Sequence, residues 1–99
     1  MNRYESVIIV KPEISKEEFE KTIEELKDVI IGFSNEEKAE LKTEDIGVKK
    51  LAYEVQKHKE GHYFIFEFYS HSEDITELER VYRINENVLK YIVVRKDEE

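Results

Sequence analysis

The segment from His62 to Ser70 places a phenylalanine at every second position, a period that fits a β-strand and not a helix. Successive side chains of a strand point to opposite faces, so Phe64, Phe66 and Phe68 share one face. The intervening side chains form the other face: Tyr63, Ile65, Glu67 and Tyr69. We expect the phenylalanine face to be buried under a second layer and the mixed face to remain open.

Two amphipathic helices are predicted from apolar residues at helical spacing. Ser15 and Glu18 have the spacing of a capping box, in which a hydroxyl and a returning carboxylate satisfy backbone donors at a helix start. The first helix ends near Gly32, and its apolar stripe consists of Phe19, Ile23, Leu26 and Ile30. The second is stopped by Asn85–Asn87, and its stripe consists of Ile75, Leu78, Val81 and Tyr82.

Three further strands surround these helices. A β-branched run predicts a strand over Tyr4–Val10, and an apolar run predicts another over Val88–Arg95. Between them, Lys38–Val55 reads as a long strand with a bulge or a change of twist at Gly47, followed by a charged turn over residues 56–61. The order is βαββαβ, which predicts an α+β, ferredoxin-like fold: a four-stranded antiparallel sheet with two helices on one face.

The length of 99 residues predicts one domain, residues 1–99, with a short acidic tail at residues 97–99. A net charge of −8 argues against a polyanion binder whose whole surface is basic. Charge is uneven, because residues 13–45 hold 5 basic and 12 acidic side chains whereas residues 46–63 hold 4 basic and 2 acidic. Any nucleic-acid site must therefore be local.

Several classes of function are not expected. The sequence has no cysteine. His58 and His62 are four residues apart, which would aim both at one metal on a helix, but they flank the predicted turn and open a strand, where this spacing does not do so; no metal site is predicted. No nucleophile–base motif or glycine-rich phosphate loop occurs, so neither catalytic residues, a cofactor nor a small-molecule substrate is predicted. No signal peptide or membrane-spanning run is recognisable, which favours the cytoplasm.

One basic segment has two interpretations. Lys49 and Lys50, followed by Lys57, His58 and Lys59, are expected to lie on one side of a hairpin. Such lysines contact phosphates in nucleic-acid sites, but they also protect edge strands from wrong pairing. A second, scattered basic set consists of Arg3, Arg80, Arg83, Lys90 and Arg95.

Four blocks in this order resemble a known family: Arg3–Glu5, Gly47–Tyr53, Gly61–Phe64 and Tyr82–Arg95. The chain is similar to the sixth protein of the bacterial small ribosomal subunit. The resemblance implies a structural protein that binds the central domain of small-subunit ribosomal RNA as a heterodimer with the eighteenth small-subunit protein. It further implies a role in assembling the small subunit in the cytoplasm, with no catalysis.

Site residues follow from the same resemblance. The implied RNA-binding side chains are Arg3, Lys49, Lys50, Lys57, Arg83, Lys90 and Arg95. The open sheet face, with Tyr63, Ile65 and Tyr69, is expected to bind the partner protein. A longer loop is expected around Phe33–Glu37. The alternative is a ferredoxin-like module that binds a protein or a small effector without RNA, which salt dependence would distinguish.

Overall fold

The computed structural model describes residues 1–33 and 40–96 of the chain. Its six elements are β1 (Asn2–Val10), α1 (Lys16–Phe33), β2 (Lys42–Val55), β3 (His58–Ser70), α2 (Ser72–Ile84) and β4 (Val88–Arg95). The strands form one antiparallel sheet in the order β2-β3-β1-β4. The predicted ferredoxin-like architecture is confirmed. The predicted longer loop beyond Phe33 and the acidic tail at residues 97–99 lie outside the described residues.

The sheet buries its phenylalanine face under the two helices, as the alternation predicts. Phe66 is fully buried, and Phe64 and Phe68 are nearly so. The register sets Ile8 opposite Phe64 and Ser6 opposite Phe66, so β1 contributes to the same layer. The helices complete the core with Ile23, Leu26, Ile30, Leu78 and Tyr82. Full burial of one such side chain contributes about 1.5–3 kcal/mol to the free energy of folding.

Polar groups inside this layer are paired. The Tyr82 hydroxyl donates a hydrogen bond of 2.8 Å to the buried Ser6 hydroxyl oxygen, which joins α2 to β1. Burial raises the pKa of the Tyr82 phenol well above its usual range. The pair therefore stays neutral and hydrogen-bonded inside the core.

The first helix begins with half of the predicted capping box. The Glu18 backbone N–H donates to the Ser15 hydroxyl at 3.0 Å, as expected for an N-cap serine. The Glu18 carboxylate is used differently, because it accepts a hydrogen bond of 3.2 Å from the Asn87 side chain. That contact ties the loop before β4 to the start of α1.

The turn between β2 and β3 is shorter than predicted. Only Gln56 and Lys57 separate the strands, with φ values of 52° and 70°. Left-handed φ at both turn residues is what a tight hairpin requires, and it lets β3 begin at His58, four residues before the predicted start. The predicted irregularity at Gly47 is confirmed by a register shift between Asp45 and Gly47, where φ is 95°.

Within residues 1–33 and 40–96, no helix covers the opposite side of the sheet, here called the open face. Alternation along the paired strands assigns it Arg3, Glu5, Val7 and Ile9 of β1, Tyr63, Ile65, Glu67 and Tyr69 of β3, and Lys90, Ile92 and Val94 of β4. Ile92 and Val94 are 51% and 46% exposed.

In residues 1–33 and 40–96, no helix has the length and apolar character that crossing a membrane requires.

Candidate nucleic-acid interface

The hairpin of β2 and β3 extends past the rest of the sheet. β1 pairs with β3 only as far as the Val10–His62 pair, so residues 49–60 form an arm without a β1 partner. Lys50 is opposite Glu60 and Val55 is opposite His58, which leaves four residues of β2, 51–54, facing one residue of β3. An irregularity of this kind bends the strand that carries it, and one side of the arm is concave.

The concavity, here called the arm groove, has a volume of about 720 Å³ and is bordered by Pro12 from the loop after β1. Its charged and aromatic lining consists of Lys50, Tyr53, Glu54, Lys57, Lys59 and Glu60. Leu51 and His58 complete it. Three lysines against two glutamates give this lining a positive balance in a chain whose net charge is −8.

One end of the arm is held by His58. Its Nε2 lies 3.1 Å and 3.0 Å from the two carboxylate oxygens of Glu13, and its Nδ1 lies 3.0 Å from the Gln56 carbonyl oxygen. Carboxylates and carbonyls only accept hydrogen bonds, so this arrangement favours the imidazolium, in which both ring nitrogens donate. The hydrogen bond to Glu13 raises the pKa of His58, and the same bond lowers the pKa of Glu13.

The other side of the arm is held by Tyr53. Lys90 Nζ donates a hydrogen bond of 2.8 Å to the Tyr53 hydroxyl oxygen and lies 4.9 Å from the ring centroid. This hydrogen bond lowers the pKa of the Tyr53 phenol. Because Lys90 belongs to β4, at the far edge of the sheet, the contact shows that the arm bends over the open face.

Four of the seven cations implied in RNA binding are engaged within the protein: Arg3, Arg83, Lys90 and Arg95. Lys90 contacts Tyr53, as described above, and the Arg3 guanidinium lies 3.3 Å from the Glu67 carboxylate. Arg83 donates a hydrogen bond of 3.4 Å to the Tyr91 hydroxyl oxygen. Arg95 donates one of 3.0 Å to the Asn2 side-chain oxygen. These contacts are exposed or half-buried, where contacts of a charged side chain are weak. A phosphate could replace those of Arg3, Arg83 and Arg95 at little cost.

The other three, Lys49, Lys50 and Lys57, all lie on the arm and are exposed. Their side chains form no ion pair or hydrogen bond with residues 1–33 or 40–96. The expectation that Lys49 and Lys50 lie on one side of the hairpin is wrong. Lys49 is opposite Gly61 and faces the open side, whereas Lys50 is opposite Glu60 and faces the other, because neighbouring strand residues alternate.

The side chains expected to bind a partner protein, Tyr63, Ile65 and Tyr69, lie on the open face. Tyr63 is paired with Ile9 and Ile65 with Val7, so apolar side chains occupy the middle of this face. Charged pairs occupy the end that carries Tyr69: Arg3 with Glu67 at 3.3 Å and Lys96 with Glu5 at 3.3 Å. Partner binding at these residues stays a prediction.

Sequence reasoning missed Glu13 and Tyr53 as the residues that hold the arm. Glu13 is 45 residues from His58, and Tyr53 is 37 residues from Lys90, so no local pattern links either pair. His62 was considered with His58 as a ligand pair. In the structure its Nε2 lies 2.6 Å from Asp45 Oδ1, and its ring stacks on Phe19 with the ring centroids 4.0 Å apart. Within the described residues, no three His, Cys, Asp or Glu side chains converge as a metal site.

The model of one protein family, described as Ribosomal protein S6, matches residues 3–95. The chain belongs to the ribosomal protein S6 family. Among S6 relatives, "Small ribosomal subunit protein bS6" of Helicobacter acinonychis (strain Sheeba) is 42% identical over 97 residues, which is 98% of this chain and 66% of the relative. The protein of the same name from a Nitratiruptor species is 41% identical over 96% of this chain and 72% of its own length.

The chain thus spans about two thirds of the length of these curated S6 relatives. The crystal structure of 30S ribosomal protein S6 from Thermotoga maritima is similar, with a TM-score of 0.81 and 32% identity over 96% of this chain and 87% of that one. The resemblance found in the four sequence blocks is therefore confirmed, and so is the fold that it implies.

Proposed function

We propose that this S6-family chain is a structural component of the small ribosomal subunit that binds the central domain of its ribosomal RNA through the arm. The observation that carries the proposal is the set of arm lysines, Lys49, Lys50 and Lys57, which are exposed and have no side-chain partner among the described residues. An exposed lysine that is not engaged can neutralise a phosphate without first breaking a contact within the protein.

The arm lysines suit phosphates better than base edges. Lysine presents a compact charge on a flexible stem, whereas recognition of base edges favours planar bidentate groups such as the guanidinium. Contacts of this kind position RNA without reading its sequence. The engaged cations Arg3, Arg83 and Arg95 would add contacts by exchanging their weak protein partners for phosphates. Lys90 would contact a phosphate through its remaining N–H donors while it keeps its hydrogen bond to Tyr53.

A second protein is part of the proposal. We infer that the eighteenth small-subunit protein covers the open face, where Tyr63, Ile65 and Tyr69 lie beside the exposed Ile92 and Val94 of β4. A face with this many apolar side chains is typical of an interface. Because the net charge of −8 opposes a polyanion, the chain alone should bind RNA weakly and gain affinity from a partner that shares the footprint.

This function requires no catalysis, and we infer none; the protein would reside with the small subunit in the cytoplasm. The alternative, an interaction module without RNA, is supported by the same apolar side chains on the open face. The two differ in salt dependence, because phosphate contacts release counterions whereas apolar pairing does not.

The experiment is a binding measurement on the central-domain RNA at one fixed salt concentration, with the chain alone, the eighteenth protein alone and the two together. We expect the mixture to bind more tightly than either protein, and the chain to sediment with small subunits from a cell lysate. The proposal fails if the lone chain binds as tightly as the pair, or if neither binds the RNA.

A further inference from the structure

We propose that the arm groove holds one nucleotide of unpaired RNA, with its base stacked on the Tyr53 ring and its phosphate at Lys57 and Lys59. This inference rests on the proposed function and deepens it, because it assigns a base-binding role to a residue that the RNA-binding set does not include. Three features support it: the exposure of the ring, the way the ring is held, and the charge beside it.

Tyr53 is exposed to an unusual degree for an aromatic side chain. At 64% it is the most exposed of the large apolar and aromatic side chains in residues 1–33 and 40–96. Its ring is not needed by the core, whose clustered residues do not include it. The bulge at residues 51–54 brings it to the groove, and bulges characteristically redirect side chains next to functional sites.

The ring is also held in position. Lys90 bonds the phenol oxygen at 2.8 Å and lies 4.9 Å from the ring centroid. A ring fixed in this way loses little freedom when a base stacks on it, which favours binding. Unpaired bases stack on aromatic side chains in most RNA-binding modules, and this contact tolerates any base because every base has a π-face.

The charges beside the ring suit a nucleotide. Lys57 and Lys59 line the groove, and the turn residue Lys57 presents its charge at the tip of the arm. Glu54 and Glu60 also line it, and their carboxylates can accept hydrogen bonds from the amino group of an adenine, guanine or cytosine. In the proposed pose the base lies between the tyrosine and these carboxylates, and the phosphate lies at the lysines.

The test is an NMR titration of the full chain with three probes: adenosine 5′-monophosphate, ribose 5-phosphate and pentaadenylate. We expect the mononucleotide to shift the Tyr53 ring protons upfield together with the backbone amides of Lys57 and Lys59. Ribose 5-phosphate should shift only the amides and bind about tenfold more weakly, which is the contribution of one stacked base. Pentaadenylate should bind more tightly than the mononucleotide, because its further phosphates reach Lys50.

Three variants separate stacking from other roles of the ring. Tyr53→Ala should remove the preference for the mononucleotide over ribose 5-phosphate. Tyr53→Phe should keep the preference although it loses the hydrogen bond to Lys90. Tyr69→Ala, which removes an exposed tyrosine of the open face outside the groove, should leave it unchanged. Unshifted amides of core residues show in each case that the variant is folded.

The inference is overturned if the wild-type chain binds the two monophosphates equally or binds neither at millimolar concentration. It is also overturned if Tyr53→Ala retains the preference, or if pentaadenylate binds no more tightly than the mononucleotide, which would indicate a site for free nucleotides. None of these results touches the proposed function, because ribosomal RNA binding through lysine–phosphate contacts is measured separately with the central-domain RNA.

Discussion

At the scale of single residues, His58 has a structural role that the sequence did not predict. The sequence predicts no metal site at His58 and His62, and in the structure the two ring nitrogens of His58 face acceptors, the Glu13 carboxylate and the Gln56 carbonyl. The His58–Glu13 pair joins the tip of the arm to the loop after β1. Its strength depends on pH, because each partner must carry its charge.

The direction of this dependence follows from the two pKa shifts. The pKa of His58 is raised from 6.5, so its contribution to stability is complete below that value and is lost as the pH rises through the folded-state pKa. The pKa of Glu13 is lowered from 4.5, so its contribution is present above that value and is lost as the pH falls through the folded-state pKa. The His58–Glu13 pair therefore stabilises the arm fully between pH 4.5 and pH 6.5.

We expect NMR titration to give His58 a pKa above 6.5 in the wild-type protein and a lower one in Glu13→Gln, because the neutral amide no longer favours the imidazolium. The matched control is Glu73→Gln in α2, at the opposite end of the sheet from the arm. A His58 titration midpoint that is the same in Glu13→Gln as in the wild type would show that this pair does not form in solution.

At the scale of elements, the base of the arm is packed tightly through Gly61. A Cβ added at this buried position would lie 2.2 Å from Ile9 Cγ2 and 3.5 Å from Leu51 Cδ2. Ile9 is only 8% exposed and β-branched, so it has little freedom to move aside. The close approach joins the beginning of the arm to β1.

Gly61→Ala should therefore destabilise the protein by about 1–3 kcal/mol in urea unfolding, which is the usual cost of overpacking. The cost should shrink in an Ile9→Ala background, where the clashing methyl group is absent. Gly32→Ala in α1 is the matched control, because its Cβ would meet no atom within 4 Å, and alanine in a helix is favourable by about 0.5–1 kcal/mol. Equal destabilisation by both alanines would contradict this packing account.

Elements with a clear period were predictable, and their long-range contacts were not. The alternation of Phe64, Phe66 and Phe68 identified the buried face correctly, because burial of one face imposes that period. The start of β3 was missed because the polar run Lys57, His58 and Lys59 is typical of a turn. In the arm, β3 is not covered by the core, so its residues can be polar and still form a strand. Lys49 and Lys50 lie in the predicted strand over Lys38–Val55, but they were grouped as one charged segment without applying the alternation of a strand, which places them on opposite sides.

At the scale of the whole molecule, acidic and basic side chains are concentrated in different parts of the chain. The acidic surplus lies in residues 13–45, which include α1, while the arm at residues 49–60 carries lysines with no partner among the described residues. Composition predicted that a nucleic-acid site must be local, and the family resemblance supplied its residues. Neither predicted the groove, because it arises from four residues of β2 facing one residue of β3.

The most direct test of the central claim is the salt dependence of binding to the central-domain RNA, measured with the eighteenth protein present. Combined substitution of Lys49, Lys50 and Lys57 by Ala should lower the slope of log affinity against log salt by about 0.7–0.9 for each phosphate that is no longer neutralised. The control changes the net charge equally through Lys16, Lys21 and Lys27 of α1, and its slope should equal that of the wild type. If the arm variant keeps the wild-type slope, these lysines only protect an edge strand, and the RNA is bound elsewhere.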